Sequence, residues 1–129
     1  MKKSLFAFFL FFIAACANQS KEEKKAEQLV RLYVDSLNHN SSNYQIIKYK
    51  DFHAIYSTVD DDPNYERYKN NPPKLDSIQK KFIPTIRAWV IYVTFKGKDK
   101  YGNFGEHVYQ CAIDKKLSKC IVGIGVDNN

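Results

Sequence analysis

The chain is poor in the residues that most often carry chemistry. Its 129 residues include three histidines, three cysteines, five glycines, four prolines and a single tryptophan. His39, His53 and His107 lack the helical spacing of a zinc site. Asp51 and His53 lie two apart on an expected strand. Glu106 and His107 are neighbours and point to opposite faces. Neither pair makes a metal or acid–base set. The nucleophile elbow Gly-x-Ser-x-Gly is absent. Gly97, Gly102 and Gly105 are not part of a phosphate-binding loop, which needs Gly-x-x-x-x-Gly-Lys-Ser/Thr. Asp60, Asp61 and Asp62 lack the spacing, central glycine and terminal glutamate of a calcium loop. No Cys-x-x-Cys occurs. We expect no enzyme, no metal and no cofactor.

Also missing is a hydrophobic run of the roughly 20 residues that a membrane-spanning helix needs. The longest such run, Leu5 to Ala15, is shorter and follows Lys2 and Lys3. It ends in Ile13-Ala14-Ala15-Cys16, an aliphatic residue and two small ones before cysteine. This resembles the lipobox of bacterial lipoproteins. The resemblance implies cleavage before Cys16 and a diacylglycerol on its thiol. The freed amine would then take a further acyl chain, such as palmitate. Two or more chains anchor stably where one does not. The expected organisation is a signal peptide over 1–15, a lipidated cysteine and tether over 16–21, and one domain over 22–129. The membrane is then a partner through Cys16. The expected location is the cell envelope, at the outer membrane.

Loss of residues 1–15 leaves 114 residues, suited to a single domain. Net charge falls from +6 to +4. The lysines interleave with carboxylates instead of forming a block, which describes a solvated face and not a nucleic-acid surface.

Ser20 followed by Glu23 has the form of a capping box. Ala26, Leu29, Val30, Tyr33 and Leu37 then recur at helical spacing, predicting one amphipathic helix from Lys21 to Asn38. Tyr44 to Phe52 reads as a strand that can run on to Thr58. A turn at Asp60-Asp61-Asp62-Pro63 leads to short helices around Tyr65 and Leu75. Arg87 to Phe95, dense in Val, Ile, Tyr, Trp and Thr, predicts a central strand. Val108 to Ile113 and Cys120 to Val126 complete the pattern. The fold class is α+β: a helix across a curved antiparallel sheet of about four strands, with a helical insert between the first and second strands. Tyr109, Cys111 and Ile113 are expected to share the helix-facing side with Cys120, Val122, Ile124 and Val126.

With Cys16 lipidated, Cys111 and Cys120 remain in an oxidising compartment, where pairing is expected. A two-residue loop at Lys115 and Lys116 would set 111 opposite 120 at a non-hydrogen-bonded position, where Cβ atoms lie closest. That predicts a disulfide; two buried free thiols are the alternative.

A further resemblance rests on Ser42-Asn43-Tyr44-Gln45-Ile46-Ile47-Lys48-Tyr49, on Phe95-Lys96-Gly97-Lys98-Asp99-Lys100-Tyr101-Gly102-Asn103-Phe104-Gly105, and on Val108-Tyr109-Gln110-Cys111-Ala112-Ile113-Asp114-Lys115. With the tyrosine-rich insert between them, these resemble small uncharacterised envelope lipoproteins of Gram-negative gut anaerobes. That resemblance implies a cystatin-like or NTF2-like domain, a fold that often forms a concave pocket. Trp89, Tyr92, Tyr56 and Tyr101 are the candidates for a ligand or contact patch. The expected function is a noncatalytic binding or accessory module, contacting an envelope protein or small ligand through the sheet face or the 97–105 loop. The alternative is an inhibitor or immunity-type lipoprotein acting on an envelope enzyme.

Overall fold

The computed structural model describes residues 19–39 and 42–126. Cys16, the lipobox-like residues before it and the apolar run over 5–15 lie outside the described residues. Helix α1 spans Lys21–Leu37. Ser20 caps it, its hydroxyl accepting from the Glu23 amide at 3.1 Å, and Glu22 and Glu23 sit in the first turn, where the helix dipole favours acids. Strand β1 is Gln45–Tyr56, β2 is Ile86–Lys98, β3 is Phe104–Asp114 and β4 is Cys120–Gly125. They form one antiparallel sheet in the order β1-β2-β3-β4. The insert between β1 and β2 holds a 3-10 turn at Val59–Asp61, then α2 (Tyr65–Tyr68) and α3 (Pro72–Lys81).

The core lies between α1 and one face of the sheet. Ala26, Val30 and Val34 of the helix are fully buried with Ile91, Val93, Phe95, Cys111 and Ile113 of the central strands. Burying the valine, isoleucine and phenylalanine side chains among them stabilises by about 1.5–3 kcal/mol each. Trp89 stacks on Phe52 at 5.1 Å and caps one end of this core.

Two features fix the direction of α1. Its side chains reach β1 in reverse order, Asp35 to Tyr44 and Arg31 to Tyr49. Its C-cap residue, Asn38, is buried and pins the helix end to the end of β2. The Asn38 amide donates to the Val34 carbonyl at 2.9 Å and accepts from the Lys98 N–H at 2.8 Å. Gly97 makes this possible, since a Cβ there would stand 2.9 Å from the Asn38 oxygen. The helix N-terminus therefore points toward the 115–119 turn, and its C-terminus toward the 99–103 turn.

The structure corrects two expectations about β4. Cys120 pairs with Ile113, and Cys111 pairs with Gly123, so the cysteines are not directly opposite. The turn is longer than two residues because Asp114 organises it. Its carboxylate accepts from the Ser118 and Lys119 amides at 2.8 and 2.7 Å and from the Ser118 hydroxyl at 2.6 Å. A register shift then follows between Ala112 and Ile113. That shift inverts the strand. Val122 and Ile124 pair with Ala112 and Gln110 on the face away from α1, and Val126, bonded beside Val108, follows them. Gly123 takes the helix side, where a Cβ would collide with the Tyr33 ring.

Candidate functional site

The 99–103 turn shapes an open cleft of about 510 Å³ where the end of β4 meets the β2–β3 hairpin. Asp99 builds the turn. Its carboxylate accepts from the Tyr101 and Asn103 amides, each at 2.9 Å, while Gly102 supplies the positive φ of 84°. Desolvation works against the Asp99 charge, but these amides outweigh it and hold the carboxyl below its usual range. The Tyr109 hydroxyl accepts from the Lys100 amide at 2.9 Å, fixing the loop to β3. Behind the wall, Phe95, Tyr109 and His107 form an aromatic cluster, with Phe95 5.3 Å from Tyr109 and 5.5 Å from His107. The His107 ring also contacts the Asn103 carbonyl at 3.0 Å.

The cleft rim carries charge of both signs. Lys100 lies over the Tyr101 ring at 5.4 Å, and Glu106 lines the same opening. Ile124, Gly125 and Val126 supply its apolar side. Tyr101 is 77% exposed and Phe104 62%, so two aromatic side chains project at the hairpin tip. Such a surface suits a polar ligand or a protein contact with an apolar anchor.

Of the four aromatic residues named from the sequence, only Tyr101 lines this cleft. Trp89 lies on the helix side, its indole N–H donating to the Lys115 carbonyl at 3.2 Å. Tyr92 faces away from α1, beneath Lys50 at 5.8 Å. Tyr56 ends β1 beside the insert. The four do not form one patch. The 97–105 loop supplies Lys100 and Tyr101 to the cleft, but Glu106, His107 and Tyr109 were not foreseen as its neighbours. The readable signal was the Asp-x-x-Gly-Asn turn between two strands.

Asp61, Asp62 and His53 have structural partners. Asp61 accepts from the Thr58 amide at 2.7 Å and pairs with Arg87 at 3.1 Å. Asp62 accepts from the Asn64 amide at 2.8 Å. His53 contacts the backbone oxygen of Asp51 at 2.7 Å. Among the described residues no three His, Cys, Asp or Glu side chains gather as a metal site.

Cys111 and Cys120 are free thiols in hydrogen-bond contact. That contact and then burial push the Cys111 thiol up, so it keeps its proton. The same contact lowers Cys120, which accepts it. No protein family, curated protein or solved structure matches the chain.

Proposed function

We propose that this chain is a lipid-anchored envelope protein whose domain is a noncatalytic binding module, with its contact site at the end farthest from the anchor. The reading takes Cys16 as the lipidated residue at the outer membrane. The supporting observation is the orientation of α1. The helix begins shortly after Cys16, runs the length of the core, and is pinned at its far end beside the 99–103 turn. A short tether at the N-terminus then holds the cleft away from the lipid. The membrane is one partner, and an envelope protein or a small ligand is the other.

Incubation of producing cells with a clickable palmitate analogue tests the anchor. Label is expected on the unmodified chain and none on Cys16→Ala. Label on both, or on neither, refutes the anchor. A photo-crosslinking residue in place of Tyr101 tests the site. A discrete adduct lost with Lys100→Glu supports the cleft. Equal adducts from a probe in place of Tyr56 refute it.

The exposed Tyr101 and Phe104 favour a second reading, an inhibitor that presses the hairpin tip into an envelope enzyme. It requires the captured protein to be an enzyme whose activity falls on binding and recovers with Tyr101→Ala.

A further inference from the structure

The two ends of the molecule differ in charge. Three segments gather at the end where α1 begins: residues 21–25 of the helix, the insert with its joins to β1 and β2 over 57–87, and the 114–119 turn. Together they hold twelve basic and eight acidic residues, a net charge of +4. The remaining described residues hold six basic and five acidic ones. Almost all the surplus positive charge of the described residues therefore sits at this end. Half of its acids already have partners. Asp61 pairs with Arg87 at 3.1 Å, Glu66 with Lys69 at 2.7 Å and Asp76 with Lys80 at 2.9 Å. Asp114 is held by the amides of its own turn. Lys21, Lys81, Lys115 and Lys116 are exposed and make no ion pair among the described residues.

The same end displays apolar surface. Ile83 is 79% exposed, the most of any large hydrophobic residue described, and Tyr56 is 56% exposed. Ile83 follows α3, which ends at Lys81, and its segment is fastened to the end of β1. The Ser57 amide donates to the Thr85 carbonyl at 2.7 Å, and the Thr85 amide donates to the Ser57 hydroxyl at 2.9 Å. The isoleucine is thus held out into solvent at the end that carries the unpaired lysines.

We propose that this end is a membrane-facing surface whose partner is a bilayer of anionic phospholipid. Lys21, Lys81, Lys115 and Lys116 meet headgroup phosphates, and Ile83 enters the boundary between headgroups and acyl chains. The proposal rests on the reading of Cys16 as the anchor. From Cys16 to Ser20 the chain reaches at most about 14 Å, so an acylated Cys16 keeps the start of α1 close to the lipid. Attraction between exposed lysines and phosphates acts over a Debye length, about 8 Å at physiological salt. A basic surface is a second membrane signal beside the acyl chains. It also sets orientation. A tether alone lets the domain lie on either flank, whereas contact through this end directs the 99–103 cleft away from the bilayer.

The test is lysine footprinting of the mature, lipidated chain on vesicles, with a water-soluble acetylating reagent and mass spectrometry. One set of vesicles is phosphatidylcholine alone, and the other is equal parts phosphatidylcholine and phosphatidylglycerol. Lys21, Lys81, Lys115 and Lys116 are expected to label about fivefold more slowly on the mixed vesicles, the weight of one lysine at an anionic surface. Lys98 and Lys100, at the hairpin end, should label alike on both. The double variant Lys115→Glu, Lys116→Glu should bring the labelling of Lys21 and Lys81 back toward the phosphatidylcholine rate. Ile83→Trp should be quenched by lipid brominated near the headgroup, and Trp89 of the parent chain should not. Flotation of the chain separates this proposal from the anchor itself. Flotation with both vesicles and equal labelling on both overturns the surface and leaves the anchor standing. Equal slowing at Lys98 and Lys100 also overturns the surface. Flotation with the mixed vesicles alone, with the four lysines slowed, supports the surface and refutes the anchor. Flotation with neither refutes both.

Discussion

The two edge strands meet the same hazard with opposite means. β1 is long and irregular. It shifts register at Ile46/Lys48, Lys50/His53 and Ile55/Tyr56, and Asp51 sits at a φ of 56°. Lys48 and Lys50 stand on its open face. Bulges and lysines of this kind keep an edge from pairing with another chain. β4 has a single register shift, at its start, and from there it is smooth, neutral and apolar. A two-layer fold covers one sheet face with its helix but no edge, so the edges carry the information about association. One edge is broken up by bulges and lysines, and the other runs regularly after its first shift, with Tyr33 laid against it.

The contrast breaks most sharply at Gly123. A side chain there must displace the Tyr33 ring, the contact that ties β4 to the helix. Gly123→Val is expected to cost about 3 kcal/mol, the upper range for overpacking, measured by urea denaturation. Lys50→Val on β1 should stay within about 0.5 kcal/mol. Equal costs at the two edges would erase the distinction.

Oxidation acts next. A bond between the touching thiols of Cys111 and Cys120 closes a short loop and is expected to add about 2.5 kcal/mol. Mass spectrometry of the envelope-expressed chain should find two hydrogens fewer, and a reductant should lower the melting temperature. Cys120→Ser should remove both effects. The staple would hold the start of β4.

Asp51 sharpens the other edge. A left-handed conformation costs a non-glycine residue roughly 1–2 kcal/mol. Asp51→Gly is expected to change stability by less than about 1 kcal/mol, since relief of strain offsets glycine's greater loss of freedom. Asp51→Val should destabilise clearly, because a β-branched residue fits this region worst. Denaturant midpoints separate the two.

Acid gives the smallest effect. Hydrogen bonds from the Ser118 side chain and the Lys119 amide hold the Asp114 carboxyl down at about 2. Its folded pKa lies below its unfolded one. The stability it contributes is therefore present above about pH 4 and lost as pH falls toward 2. Amide exchange at Ser118 and Lys119 should rise in that window, and Asp114→Asn should remove the dependence. Exchange on the β1 side should show no matching step.

Much of the central architecture was legible in the sequence. Ser20, Glu23 and the Ala26–Leu37 spacing announce α1 because capping and amphipathicity are local. The Val, Ile and Tyr run of β2 announces a buried strand for the same reason. β4 was misread because its alternation depends on a register shift that Asp114 sets from across the turn. Gly123 carried the corrective signal. A glycine within a strand often marks a close approach of another group, here Tyr33. The four aromatic residues failed as a patch because Trp89 and Tyr92, three apart on β2, alternate to opposite faces, while Tyr56 and the turn residue Tyr101 lie at opposite ends of the sheet. The cleft was hidden for a related reason: its walls come from a turn, β3 and the last residues of β4, which only folding assembles.

Asn38 has a consequence for reach. The 17 residues of α1 extend about 25 Å, and the Asn38 side chain fastens that rod to the sheet at its far end. Whatever holds residue 20 therefore sets the height of the hairpin tip, as a mast sets the height of a lamp. Asn38→Ala would leave the rod unfastened at the top. The tip would lose its fixed standoff while the sheet beneath it stayed intact.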